Sequence, residues 1–165
     1  MILCALNVNQ TIKITYDRNL LNFTPMTPSE KITKKAQTPK ARNYGPIPVD
    51  TIFKYLGIEL EEGEVVLSAK AQIHAARRHP EDFSRCLPYL QRVISTPDYI
   101  GDDFKNENKI ELISLIPELG NGLLIALSIQ RDSSGNYHIA SFYPVSFAKI
   151  TNRCGKGYLK SVPKK

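Results

Sequence analysis

Two of the chain's three histidines and two arginines fall within one short run, Ile73-His74-Ala75-Ala76-Arg77-Arg78-His79-Pro80, and no acid enters before Glu81. Imidazoles beside fixed guanidiniums are the parts that metal-free phosphoryl chemistry on RNA needs. RNA carries its own nucleophile, the 2′-hydroxyl next to each phosphorus. A base must take that proton, an acid must protonate the departing 5′-oxygen, and cations must hold the charged phosphorane between them. A positioned acid or base contributes roughly 10²- to 10⁴-fold, and preorganised donors on the developing charge add comparable factors. Histidine suits acid or base work near neutral pH, and arginine offers a fork matched to phosphate oxygens. Metal chemistry finds no such support. The sequence has no GxxxxGK[ST] loop, no HExxH and no His/Asp/Glu cluster at ligand spacing. His74 and His79 would also point roughly 140° apart around a helix.

These residues need a helix to carry them. Ser68 is a good N-cap for one that runs to about His79 and stops before Pro80. On it Ala71, His74 and Arg78 share one face, with Arg77 beside them and His79 at the C-terminal end. Each has a plainer reading: His74 as a core or surface histidine, His79 as a cap, Arg77 and Arg78 as a solvated face. A second constellation, Ala140-Ser141-Phe142-Tyr143-Pro144, closes a strand. Alternation puts Ser141 and Tyr143 on one face and Phe142 on the other, so two hydroxyls could donate to a phosphate or serve as ordinary strand decoration. His138, Glu111 and Lys109 are further polar strand residues with a low claim on a cleft.

The rest of the chain supplies the scaffold. Residues 1–45 divide into a strand around Thr11–Tyr16 and, from Asn22, a basic arm rich in Pro and Lys, read as a linker or a nucleic-acid-tracking tail. Residues 46–165 form the folded domain. Asp50 is expected to cap a helix carrying Ile52, Phe53 and Leu56, with Gly57 as its stop. Glu64–Leu67 reads as a strand. After the His/Arg helix, Pro80 opens a second one, with Glu81 and Asp82 in its first turn and a kink at Pro88. Tyr99–Asp103 reads as a turn-rich loop. Lys109–Ile116, Leu123–Gln130 and Asn136–Tyr143 are strands joined by Gly-containing connections, hence antiparallel hairpins. Val145–Ile150 reads as a last short element, followed by a basic tail with Arg153, Lys156, Lys160, Lys164 and Lys165. Helices followed by a run of strands predict an α+β domain, with helices packed on one face of an antiparallel sheet.

Composition sets the outer limits. A chain of 165 residues with 42% hydrophobic content suits one domain with a real core. No apolar run approaches the ~18 to 20 residues of a membrane span, and no secretory signal is expected. Three scattered cysteines without a CxxC pair suit a reducing cytoplasm. A net charge of +6 favours polyanionic partners, either nucleic acid or an acidic protein.

In order and spacing, residues 63–160 resemble the phage-type barnase–EndoU–colicin–RelE-like (BECR-fold) nuclease domains. The resemblance rests on Gly63–Leu67, the His74–Pro80 run, Pro97–Gly101, Lys109–Leu112, Leu123–Leu127, Ala140–Tyr143 and Gly157–Lys160. It implies N-terminal helices on a curved antiparallel sheet and metal-independent ribonuclease activity, often as a toxin or mobile-element effector. It also implies that His74, Arg78 and His79 face Ser141 and Tyr143. The chain departs from the pattern at Ser114, where a cation is expected shortly after Glu111.

The leading expectation is therefore a cytoplasmic RNA endonuclease without a cofactor. His74 would be its base or acid, Arg78 and His79 would stabilise the phosphorane, and Ser141 and Tyr143 would orient the scissile phosphate. Arg77, Lys109, Lys156 and Lys160 are the expected RNA contacts, tRNA is one expected substrate, and an acidic antitoxin or immunity protein is an expected partner. The alternative is a non-catalytic RNA- or protein-binding module of the same fold.

Overall fold

The computed structural model describes residues 38–102 and 108–164. The expected strand at Thr11–Tyr16 and most of the basic arm lie outside them. The elements in chain order are β1 (Arg42–Pro46), α1 (Val49–Leu56), β2 (Glu64–Leu67), α2 (Ala69–Arg78) and α3 (Pro80–Cys86). A 3₁₀ turn at Leu87–Tyr89 leads into α4 (Leu90–Ser95), β3 (Tyr99–Asp102), β4 (Lys109–Ile116) and β5 (Asn121–Ser128). The chain then runs through β6 (Tyr137–Val145), α5 (Phe147–Gly155) and β7 (Leu159–Ser161).

The seven strands form one sheet in the order β1-β2-β6-β5-β4-β3-β7. Neighbours run antiparallel except β2 and β6, which pair in parallel at Val65–Tyr137 and Val66–His138. The fold is α+β, the class expected. The long β4–β5–β6 meander alternates its apolar residues between two cores. Ile110, Leu112, Ile116, Leu123, Ile125, Leu127, Ile139 and Phe142 face the layer that contains Ile52 of α1, Cys86 of α3 and Leu90, Val93 and Ile94 of α4. Ile113, Leu124, Ala126 and Val145 face the other way, beneath Ile150 of α5. Each fully buried Leu or Ile is worth roughly 1.5–3 kcal/mol, so this double core dominates the domain's stability.

Local chemistry explains the helices that carry the histidines. Ser68 caps α2, its Oγ accepting from the Ala71 N–H at 3.2 Å, and Pro80 starts α3 at the position where a missing N–H costs nothing. At Pro88 the helix becomes a 3₁₀ turn, which divides α3 from α4.

Several expectations change. Asp50 is not a cap: α1 begins at Val49 behind Pro48, and Asp50 sits in the first turn, where the helix dipole favours a carboxylate. The sheet begins at Arg42, so β1 claims residues assigned to the arm. Tyr99–Asp102 is a strand and not a loop. Its Gly101 serves close packing, since a Cβ there would run into the Tyr158 carbonyl and the Leu159 side chain. The basic tail folds as well, into the end of α5 and the edge strand β7. Finally, α5 covers the face opposite the other helices, so the sheet carries helices on both sides.

Candidate active site

Beyond His138, no strand among the described residues pairs with the outer edge of β6. β2 ends at Leu67 and the chain turns away into α2, while β6 runs on to Val145. The divergence opens a cleft of about 450 Å³ between α2, the start of α3 and the edge of β6. The buried side-chain amide of Gln72 sets the pose of α2 there. Its Nε2 donates to the Leu67 carbonyl at 3.2 Å and to the Lys40 carbonyl at 2.7 Å.

His74, Arg78 and His79 line one wall, with Ala71 and Ala75 leaving room between them. Ser141, Phe142 and Tyr143 line the other. The register explains how residues of alternating orientation share it. Phe142 pairs with Ile125 and packs into the core under the helices, tilted against Phe83 at 5.9 Å between ring centroids. Ser141 pairs with Ala126 and Tyr143 with Leu124, which belong to the opposite face. The cleft therefore follows the strand's edge, touching both faces. Tyr143 is further held by Lys149, whose Nζ lies 5.7 Å from its ring centroid. His74, Arg78, His79 and Ser141 are exposed, accessible to a ligand that enters along the edge.

The other sequence candidates lie elsewhere. Arg77 is exposed in the last turn of α2, Lys109 begins β4 and Lys156 ends α5, and none of them lines this cleft. Lys160 on β7 donates from Nζ to the Tyr55 carbonyl at 2.6 Å. Glu111 is buried on the α5 side, where its carboxylate is paired with the Arg153 guanidinium. Ser114 cannot stand in for a surface cation. It is fully buried, and its hydroxyl donates to the Thr96 carbonyl at 3.1 Å. His138 does not line the cleft and meets Asp132 of the β5–β6 connection, Nε2 to Oδ2, at 2.8 Å. Asp132 also accepts from the Ser134 and Asn136 main-chain N–H groups, and these bonds together with His138 lower its carboxyl pKa to about 2.

One lining residue was not foreseen. Asp82, in the first turn of α3, brings a carboxylate into the same cleft. Its place beside Glu81 after Pro80 already had an explanation in the helix dipole, so nothing in the sequence marked it out. Behind it, burial and the Asp82 charge push the Cys86 thiol up to about 11, leaving it an inert core residue.

Chemically the cleft offers two imidazoles, a guanidinium, a carboxylate and a hydroxyl-bearing strand edge. Among the described residues no group of three or more His, Cys, Asp or Glu side chains is placed to hold a metal ion, and no described helix is long and apolar enough to cross a membrane.

No curated protein and no solved structure matches the chain. The model of one family, described as phage-Barnase-EndoU-ColicinE5/D-RelE like nuclease3, matches residues 42–152. That span takes in both walls of the cleft and six of the seven strands, all but β7. The chain belongs to this family of nuclease-like domains.

Proposed function

We propose that the cleft between α2 and β6 is the active site of a ribonuclease that needs no metal ion. One observation carries the reading: His74, Arg78 and His79 line one wall of a single cleft whose other wall carries Ser141 and Tyr143. In the reaction one imidazole, His74, takes the proton of a 2′-hydroxyl as its oxygen bonds to the adjacent phosphorus. The bond from phosphorus to the 5′-oxygen breaks, and a second group in the cleft, His79, returns a proton to that oxygen. Arg78 is the fork for the phosphorane's equatorial oxygens, and the Ser141–Tyr143 edge orients the phosphate. The products are a 2′,3′-cyclic phosphate and a 5′-hydroxyl.

The basic surface and the phage-type family agree with a toxin or mobile-element effector that acts on cytoplasmic RNA and is held in check by an acidic partner. A second reading, a binding module that has lost its chemistry, draws on Ser114, whose burial leaves the position after Glu111 without a cation.

Incubation of the purified protein with tRNA and with total RNA in EDTA, with end-group analysis of the fragments, separates the readings. Cleavage with cyclic phosphate ends, lost roughly 10²-fold or more in His74→Ala, is the expected result. Loss of cleavage on chelation overturns the metal-free mechanism, and undiminished cleavage by His74→Ala overturns the site. Salt-sensitive RNA binding with no product under any condition favours the binding module.

A further inference from the structure

A second and larger cleft, about 620 Å³, lies between α1, α4 and the segment that follows β7. Its cations come from three separate elements: Lys54 on α1, Arg92 on α4 and Lys164 near the C-terminus. Their convergence is thus a product of the fold and not the solvated face of one helix. Lys164 is held by Asp98 at 2.9 Å. Arg92 donates from Nη2 to the Leu115 carbonyl at 3.4 Å, and Asp50, one turn before Lys54, also lines the cleft, but neither Lys54 nor Arg92 forms an ion pair with a carboxylate among the described residues. The half-buried ring of Tyr55 lies in the same lining, with the Lys54 Nζ 5.4 Å from its centroid.

The strand directions relate this cleft to the first. β6 and β4 end, and β3 begins, at the same end of the sheet, because β6, β5, β4 and β3 alternate in direction. The first cleft follows the C-terminal half of β6. The second is bounded by Ser95–Pro97, just before β3, and by Val162–Lys164, just after β7. At the usual strand spacing, β6 and β3 are roughly 14 Å apart. An aromatic ring beside cations that no carboxylate neutralises is the equipment of a single-strand site, in which bases stack and phosphates are neutralised without sequence readout. An acidic protein surface would use the charges but has no need of the ring.

We propose that this second cleft holds the single-stranded RNA that flanks the scissile bond, with Lys54 and Arg92 on its phosphates and Tyr55 against a base. The inference rests on the ribonuclease reading of the first cleft. Its test is binding of a labelled single-stranded oligoribonucleotide of about 12 nucleotides, by fluorescence anisotropy, to the full chain and to Lys54→Glu/Arg92→Glu. Both proteins are measured with and without His74→Ala. The expected result is at least tenfold weaker binding in the charge-reversed protein in both backgrounds. The slope of log affinity against log salt should also fall by roughly 1.4, at about 0.7 per phosphate on a single strand. Tyr55→Leu should weaken binding with the salt slope unchanged. Oligonucleotide affinity within twofold of the parent overturns the proposal, and the same result with lost binding to polyglutamate reassigns the cleft to an acidic protein. If His74→Ala still cleaves RNA while charge reversal still weakens binding, the first cleft is wrong as an active site and the second stands as an RNA site.

Discussion

The Gln72 side chain, on the first turns of α2, reaches back to the Leu67 carbonyl that ends β2, at 3.2 Å. With its second bond to the Lys40 carbonyl, one buried amide joins the approach to β1, the end of β2 and the helix that carries His74. Replacing Gln72 with Ala leaves two carbonyls without this donor. We expect a loss of about 1–3 kcal/mol, read as a lower denaturation midpoint at unchanged slope. RNA cleavage per folded molecule should fall as well, because the helix loses its anchor. Gln72→Glu, which keeps the shape but brings an acceptor against two acceptors, should be no better than Ala.

Glu111 and Arg153 form a largely buried pair under the end of α5. Arg153→Met strands the carboxylate in a site with little water, and the expected cost is about 3 kcal/mol. Glu111→Leu/Arg153→Met removes both charges and should recover most of that loss. Guanidinium denaturation of the two single variants and the double variant checks this. A double variant no better than Arg153→Met would show that the pair's packing, and not its charge, is what counts.

Asp132 ties the β5–β6 connection to His138, and its carboxyl is lowered from 3.8 to about 2 in the fold. A depressed carboxylate contributes stability that is fully present above the unfolded value and disappears as pH falls through the folded one. The connection should therefore loosen between about pH 4 and pH 2. Amide exchange at Ser134 and Asn136, whose N–H groups donate to this carboxylate, is the direct measurement. In Asp132→Asn the acid-dependent step should disappear, and exchange at those two amides should be faster throughout the range.

Much of this arrangement could be read from the chain, for identifiable reasons. The Ser68 cap and Pro80 bounded α2, and strict alternation put Phe142 opposite Ser141 and Tyr143. The meander was legible because its strands are long and its turns contain glycine. What could not be read depended on distant partners. β3 looked like a turn because Gly101 and Asp102 are turn residues, and only the close approach of β7 explains the glycine. The parallel junction of β2 with β6 has no local signature, yet it opens the cleft. Asp82 and the Lys54–Arg92 cleft were hidden for the same reason, since each draws its meaning from elements far along the chain.

That junction also sets a schedule for synthesis. β2 can pair with β1 at once, but its other edge waits for residues 137 and 138, so the wall that carries His74 leaves the ribosome long before the strand it faces. A nascent chain, or one cut short before β6, holds only half of the cleft. Any chemistry performed there is withheld until nearly the whole domain has been made.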